Sequence, residues 1–142
     1  MSLAGEITET EVELQVRRAA QSLIDATLAG DVETVLSAYR QDTPFIEQGR
    51  IRARFDELEA QIREFFELYR VIEHTLDDIR IVVLSENAAI LTARYSYSTL
   101  SKVGSRREGS TTNLGAWSAV FVSDPSGWRI VVPHQSSPHP IP

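Results

Sequence analysis

The segment that closes the chain, Gly127–Ser136, constrains the fold more than any other. It reads GWRIVVPHQS, with one aromatic residue followed by β-branched aliphatic residues, and the turn Asp124–Gly127 precedes it. Such a run is typical of a β-strand inside a sheet that is covered on both faces. Because this strand comes last, it requires earlier strands for pairing and earlier helices for cover. Pro133 cannot donate a hydrogen bond to a neighbouring strand, so it marks an edge, a bulge or the end of the strand.

Helices are predicted in the first half of the chain. Thr8 and Glu11 have the spacing of a capping box, and the apolar positions after them have helical spacing. These positions are Val12, Val16, Ala19, Ala20, Leu23, Ile24 and Leu28. Gly30 ends this helix, and Asp31 caps a short second one. A third helix is predicted from about Arg54 to Tyr69, because its apolar residues form one wide stripe.

Strands dominate the second half of the chain. The predicted strands are Phe45–Glu47, Ile79–Leu84, Asn87–Leu100, Ser110–Val122 and Gly127–Ser136. The polar and charged stretch Ser101–Gly109 is expected to form a hairpin loop. Helices followed by an antiparallel meander with short connections predict an α+β domain, in which the helices cover one face of a curved sheet.

Length and charge limit the class of protein. The 142 residues indicate one domain. We expect it to span 8–137, after a disordered arm at 1–7 and before an irregular tail at 138–142. The net charge of −6 argues against a nucleic-acid partner. The basic clusters Arg50–Arg54 and Arg106–Arg107 are expected in solvated loops, and no apolar run approaches the ~20 residues of a membrane span.

Composition also limits the chemistry. The absence of cysteine excludes disulfides, thiolate metal sites and a cysteine nucleophile. It fits a reducing compartment and, since no secretory signal is present, we expect a cytoplasmic protein. The three histidines, His74, His134 and His139, are scattered, and no phosphate-binding loop is present. Neither a metal nor a cofactor is therefore expected.

Three local patterns carry a resemblance to a known family. They are Leu28–Asp31 followed by Val32, Leu36, Tyr39 and Asp42, then Asn87–Leu91, and then Gly127–Val131 with His134 and Ser136. Together they resemble the NTF2-like superfamily, in its SnoaL-like branch. The pattern is also similar to the association domain of calmodulin-dependent kinase II and, more distantly, to ketosteroid isomerases.

The resemblance implies a cystatin-like cone, in which a strongly curved, mainly antiparallel sheet wraps three helices and leaves a pocket at the wide end. It also implies a homodimer or larger assembly through the outer face of the sheet. The superfamily includes isomerases, polyketide cyclases, epoxide hydrolases and dehydratases, and also non-catalytic modules. The fold therefore does not choose the function.

Glu47 is the candidate catalytic carboxylate. It follows two apolar residues, Phe45 and Ile46, in a predicted strand. The resemblance implies that it occupies the place of the general base of ketosteroid isomerases, and a carboxylate in an apolar pocket suits proton abstraction. The isomerase tyrosine that stabilises the oxyanion corresponds to Leu23 here, so the familiar isomerase route lacks a donor. The alternative is a strand-end glutamate in water.

Arg94 and His134 are further candidate site residues. The resemblance matches Arg94 with an arginine that lines the pocket of the kinase association domain, where a guanidinium could grip a carboxylate. A cross-strand salt bridge is the alternative. His134 could move a proton in catalysis, or it could be a structural histidine. The candidate ligand-binding aromatic residues are Tyr39, Tyr97 and Trp117, which core packing explains equally well.

Three functions stay open from the sequence. The first is a domain that binds a small apolar or carboxylate-bearing molecule. The second is an enzyme of isomerase, cyclase or dehydratase type, with Glu47 as general base and His134 assisting. The third is an assembly module without chemistry. A homodimer is expected because one layer of helices cannot cover strands that are apolar on both faces.

Overall fold

The structure, a computed structural model, describes residues 8–52, 54–102 and 111–137. The predicted arm at 1–7, the predicted tail at 138–142 and most of the predicted loop at 101–109 lie outside the described residues. Within them, the chain forms α1 (Glu9–Ala29), α2 (Val32–Ser37), β1 (Phe45–Glu47), β2 (Arg50–Arg52), α3 (Phe55–Leu68), β3 (Tyr69–Ser85), β4 (Ala88–Ser101), β5 (Thr111–Asp124) and β6 (Gly127–Ser136).

The ends of α1 and α2 follow the capping signals of the sequence. Thr8 accepts a hydrogen bond from the backbone N–H of Glu11 at 3.1 Å. Gly30 adopts a left-handed conformation with φ 69°, and Asp31 accepts a hydrogen bond from the N–H of Thr34 at 3.2 Å. These contacts supply partners for backbone groups that a helix end leaves free. None of the described helices is long and apolar enough to cross a membrane.

The six strands form one sheet in the order β2-β1-β6-β5-β4-β3. β1 pairs with β6 in parallel, and the other pairs are antiparallel. The helices pack on one face of this curved, unclosed sheet, as the α+β prediction requires. We call the face that carries Leu91, Phe121 and Ile130 the inner face, and the face that carries Ile90, Val120 and Val131 the outer face.

The core lies between α1 and the inner face. Val12 and Val16 of α1 are fully buried, as is Leu91 of β4, and Phe121 of β5 and Ile130 of β6 are 1% exposed. On the outer face, by contrast, no described element covers the strands, and Val82 of β3 is 58% exposed. The expectation that the closing strand is covered on both faces is therefore wrong for the single chain.

Two strand predictions need correction. Arg50–Arg52 was expected in a solvated loop, but it forms β2 and pairs with β1 through a turn at Gln48 and Gly49. β3 begins at Tyr69, ten residues before the predicted Ile79. In its first half, polar residues on one side hide the strand signal, while His74 and Leu76 face inward.

A bulge interrupts β6 at Val132 and Pro133. The pairing register with β5 shifts there, and Val132 has φ 48°, which is rare for a β-branched residue. The N–H of Val132 donates to the hydroxyl of Thr43, which is buried. This bond holds the extra residue in place, so the prediction that Pro133 marks an edge, a bulge or an end is confirmed as a bulge.

Candidate functional site

A cavity of about 300 Å³ lies between the inner face and the helices. Its walls are mainly apolar and aromatic. The aromatic lining residues are Tyr39, Phe65, Phe66, Tyr95, Tyr97 and Trp117. The polar ones besides the tyrosines are Thr27, Glu47, Gln61, His74 and Gln135. A concave, mostly apolar space with a few polar groups is the usual form of a small-molecule site.

Glu47 stands at the end of β1, where the strand meets α3 and β6. Its carboxylate accepts a hydrogen bond from the side-chain amide of Gln61 on α3. Glu47 is also the pairing partner of Gln135 on β6, and both side chains line the cavity. Three elements thus bring one carboxylate and two amides to the same part of the wall.

Two tyrosines of β4 stack beside this polar group. The rings of Tyr95 and Tyr97 lie 5.8 Å apart with an angle of 23° between their planes. Burial raises the pKa of Tyr97 to about 12, and the neighbouring Tyr95 and the charge of Glu47 act in the same direction. Burial also raises the pKa of Tyr95; a hydrogen bond with the Gln135 side chain opposes this rise, and the charge of Glu47 adds to it. Both hydroxyls therefore stay protonated and can donate hydrogen bonds.

The close packing of Tyr95 depends on a glycine in the next strand. Gly115 of β5 is its pairing partner, and a Cβ atom at this position would collide with the Tyr95 hydroxyl and the Ser136 carbonyl oxygen. The Tyr95 hydroxyl in turn donates to that carbonyl at 3.4 Å. Only a residue without a side chain leaves room for this arrangement.

His74 and Tyr39 complete the wall without adding charge. Burial lowers the pKa of His74, whose Nδ1 atom is buried and has no hydrogen-bond partner among the described residues. The imidazole is therefore neutral near neutral pH. Burial raises the pKa of Tyr39 to about 12, so its hydroxyl also stays protonated.

The predicted site residues divide between the two faces of the sheet. Glu47, Tyr39, Tyr97 and Trp117 line the cavity. Arg94 and His134 do not, because both are exposed on the outer face. Their expected place beside Glu47 is thus corrected, and any role for them elsewhere stays a prediction.

Strand geometry explains both corrections. Arg94 lies between Ala93 and Tyr95, which are buried on the inner face, and alternation turns it outward. In β6 the bulge changes the alternation, so that Pro133 and Gln135 follow Ile130 on the inner face instead of His134. Gln135 therefore takes the place in the cavity that the sequence predicted for His134.

Arg94 and His134 share a groove of about 280 Å³ on the outer face. Arg80 and Asp78 of β3 line the same groove, and the Arg80 Nε atom lies 3.5 Å from a carboxylate oxygen of Asp78. No salt bridge of Arg94 occurs among the described residues. The groove and the cavity lie on opposite faces of the sheet, and Trp117 is the one described residue that lines both.

Gln61, His74, Tyr95 and Gln135 are among the cavity residues that sequence reasoning did not single out. Two of them carry a usable signal. Gln61 is polar beside Ile62 in the apolar stripe of α3, and Tyr95 shares the alternation of Tyr97. Pro133 allows a bulge before Gln135, but it does not distinguish a bulge from an edge or a strand end, and the bulge also involves a tertiary contact with Thr43. Among the described residues, no group of His, Asp and Glu is arranged to hold a metal ion.

Comparison with solved structures shows the fold. A candidate dehydratase of the NTF2-like family from Streptomyces avermitilis is 18% identical with a TM-score of 0.77, over 92% of this chain and 98% of that chain. A ketosteroid isomerase-like protein from Erwinia carotovora atroseptica is 18% identical with a TM-score of 0.71, over 89% and 96%. A candidate calcium/calmodulin-dependent protein kinase II association domain from Xanthomonas campestris is 15% identical with a TM-score of 0.70, over 99% and 95%.

At these identities the likeness establishes the fold alone. No curated protein shows significant sequence similarity to the chain. The sequence model of the SnoaL-like domain matches residues 16–140, which is most of the chain. The chain therefore belongs to the SnoaL-like domain family and has the NTF2-like fold.

Proposed function

We propose that the protein binds a small, mostly apolar molecule in the cavity between the helices and the inner face. The observation that carries this proposal is an open space of about 300 Å³ whose polar groups, Glu47, Gln61 and Gln135, converge on one part of an aromatic wall. Apolar walls supply binding free energy, and a few polar groups fix the orientation of the ligand. A pure assembly module would not need such a space.

The sequence also predicted a ligand that carries a carboxylate, but the position of Arg94 removes the support for that prediction. It depended on Arg94 as the partner of the ligand carboxylate. Arg94 is exposed on the outer face, and no described residue that lines the cavity is a lysine or an arginine. The apolar version of the proposal is the one that we retain.

Filling the cavity tests the proposal. Leu23 of α1 lines the cavity, whereas Leu28 of the same helix does not and is 39% exposed. We expect small aromatic alcohols and amines to raise the midpoint of thermal unfolding of the wild-type protein, because they bind only the folded state. Leu23→Trp should abolish this rise, and Leu28→Trp should preserve it. An equal rise in both variants would contradict binding in the cavity.

An enzyme with Glu47 as general base is the second candidate. Three observations favour it. The carboxylate stands in an aromatic wall, and its charge contributes to the raised pKa values of two protonated tyrosines. The Tyr97 hydroxyl could donate to an oxyanion in place of the donor missing at Leu23. Two of the solved structures of this fold are named after enzymes, one as a ketosteroid isomerase-like protein and the other as a candidate dehydratase.

Proton abstraction beside a carbonyl group would reveal such an enzyme. The probe is 4-phenyl-2-butanone in deuterium oxide, and proton NMR follows the exchange of the hydrogens next to the carbonyl. A general base predicts exchange above the buffer rate that Glu47→Gln abolishes and Glu64→Gln, on the exposed side of α3, does not. Exchange at the buffer rate in the wild-type protein would contradict base catalysis on this ketone class.

We also infer that two copies associate through the outer face. A row of aliphatic residues crosses four strands there, and its members pair in register: Val82, Ile90, Val120 and Val131. Val82 is 58% exposed and Leu84, further along β3, is 59% exposed. An uncovered apolar surface of this kind is typical of a protein interface. Light scattering at micromolar concentration should give twice the chain mass, and a monomer at every concentration would contradict the inference.

A further inference from the structure

We infer that the molecule bound in the cavity carries a protonated amine, and that its ammonium group lies between the Glu47 carboxylate and the rings of Tyr95 and Tyr97. This inference rests on the proposed function, because it names the chemical class of ligand for the same cavity. It reverses the charge that the sequence alone predicted for the ligand.

The charges of the residues along the cavity wall favour a cationic ligand. Among the described residues that line the cavity, Glu47 is the single aspartate, glutamate, lysine or arginine. A glutamate is ordinarily negative near neutral pH. The other titratable groups do not offset this charge, because burial keeps His74 neutral and keeps the tyrosine hydroxyls protonated. The described wall therefore presents one negative charge and no positive one.

The hydrogen bonds of Glu47 leave part of its carboxylate free to accept a donor from the ligand. Gln61 donates to Oε2, and no described residue donates to Oε1. An ionised carboxylate can accept about four hydrogen bonds. A partly buried carboxylate with unused acceptor sites gains from a donor that the ligand supplies, and a charged donor gives about twice the strength of a neutral one.

The aromatic rings of the cavity wall also favour a cation. Tyr95 and Tyr97 stack with their planes 23° apart, and Phe65 meets Tyr97 edge-on at 6.2 Å between ring centroids. Trp117 lines the same cavity. The faces of aromatic rings attract cations, most strongly where water is displaced. Rings and a carboxylate on one wall are therefore complementary to an ammonium group attached to an apolar body.

The same wall disfavours an acid. A ligand carboxylate would bring a second negative charge into a space that already holds Glu47, and like charges at one site oppose ionisation. No described residue that lines the cavity is a lysine or an arginine that could neutralise it. Arg50, the pairing partner of Glu47 on β2, is exposed and does not line the cavity, and Arg94 and Arg80 lie in the groove on the outer face. The cavity thus discriminates between ligands by repulsion as well as by attraction.

Three compounds with one carbon skeleton test the inference: 3-phenylpropylamine, 3-phenylpropan-1-ol and 3-phenylpropanoate. Isothermal titration calorimetry at about pH 7 compares their affinities, since only the amine is a cation there. We expect the amine to bind the wild-type protein about tenfold or more tightly than the alcohol, the range for a hydrogen bond between charged groups. The acid should bind more weakly than both.

Two variants assign the preference to one side chain. Glu47→Gln removes the charge and keeps the shape, and it should bring the amine and the alcohol to within about twofold of each other. Glu64→Gln removes the same charge from an exposed position of α3 and should leave the wild-type preference intact.

The outcomes separate this inference from the proposed function. If the alcohol or the acid binds the wild-type protein as tightly as the amine, the amine inference is overturned while small-molecule binding stands. If the amine preference survives in Glu47→Gln, the assignment to the cavity carboxylate is overturned. If none of the three compounds binds, both the inference and its basis in the proposed function fail for this class of ligand.

Discussion

The two faces of the sheet differ in chemistry although the same strands form them. The inner face carries Phe121, which is 1% exposed, and the cavity with Glu47. The outer face carries Arg94, His134 and an aliphatic row that no described element covers. Successive side chains of a strand point to opposite faces of the sheet, so a shift of one position moves a side chain from one face to the other. Whether a residue reaches the site therefore depends on the alternation along its strand, and a bulge shifts that alternation by one residue.

The separation also divides the charges. The carboxylate and the protonated tyrosines belong to the inner face, whereas the guanidinium groups of Arg80 and Arg94 belong to the outer groove. Ligand chemistry and association between chains can therefore vary independently. We expect matched substitutions on the two faces to differ in their energetic effects as the faces differ in composition.

The largest expected difference separates two adjacent residues of β5. Phe121→Ala leaves a cavity in the core and should lower the free energy of unfolding by about 3–5 kcal/mol. Val120→Ala, on the outer face, should lower it by about 1 kcal/mol or less. Urea unfolding at a protein concentration where the chain is monomeric gives both values. Equal losses would show that the outer face is as well packed as the inner one.

The next largest effect concerns the bulge that turns Gln135 inward. Thr43→Val keeps the shape of the side chain and leaves the N–H of Val132 without its partner, so it should cost about 1–3 kcal/mol. Thr92→Val, exposed on the outer face of β4, should change stability by about 0.5 kcal/mol or less. The NMR signal of the Gln135 amide should move in the first variant. A loss in Thr92→Val equal to that in Thr43→Val would contradict this role of Thr43.

Association between chains is the third comparison. Leu84→Glu places charges in the proposed interface and should weaken the dimer by about tenfold or more while folding is preserved. Leu14→Glu makes the same change at a position of α1 that is 47% exposed and away from the sheet, and it should have no effect on association. Analytical ultracentrifugation measures both dissociation constants. Weakening by Leu14→Glu alone would move the interface to the helices.

The smallest effect is a dependence of stability on pH. Burial lowers the pKa of His74 below its ordinary value of 6.5, so the unfolded state binds more protons as the pH falls below this value. The free energy of unfolding should therefore decrease from about pH 7.5 to about pH 5.5. His74→Gln should reduce this decrease, and His134→Gln, at an exposed position, should not. Identical pH profiles for the wild-type protein and His74→Gln would contradict the burial of a neutral imidazole.

The regular parts of the fold could be read from the sequence because their causes are local. The capping residues Thr8 and Asp31 bond to their own helices, and the alternation of β4 from Ala89 to Tyr95 defines its two faces. That alternation already set Arg94 apart from Tyr95 and Tyr97. The expectation that Arg94 lines the pocket came from the resemblance alone. In the structure Arg94 lies on the outer face, as the alternation of β4 indicates.

The parts that could not be read depend on contacts between distant segments. β2 has three residues, and Ile51 at its centre is 74% exposed, so it has no amphipathic signal. The bulge of β6 needs the hydroxyl of Thr43, which is far away in the sequence. Pro133 signals an interruption of β6, but the choice among an edge, a bulge and an end, and with it the choice of Gln135 over His134 as the inward residue, depends on contacts outside the strand.

The most direct test of the account is a map of ligand binding onto the two faces of the sheet. Two-dimensional NMR during titration with 3-phenylpropylamine should shift the side-chain signals of Trp117, Gln61 and Gln135. The side-chain signals of Arg94 and His134 should stay where they are. Shifts at Arg94 and His134 with an unchanged Trp117 indole would contradict the account, because the binding site would then lie in the outer groove.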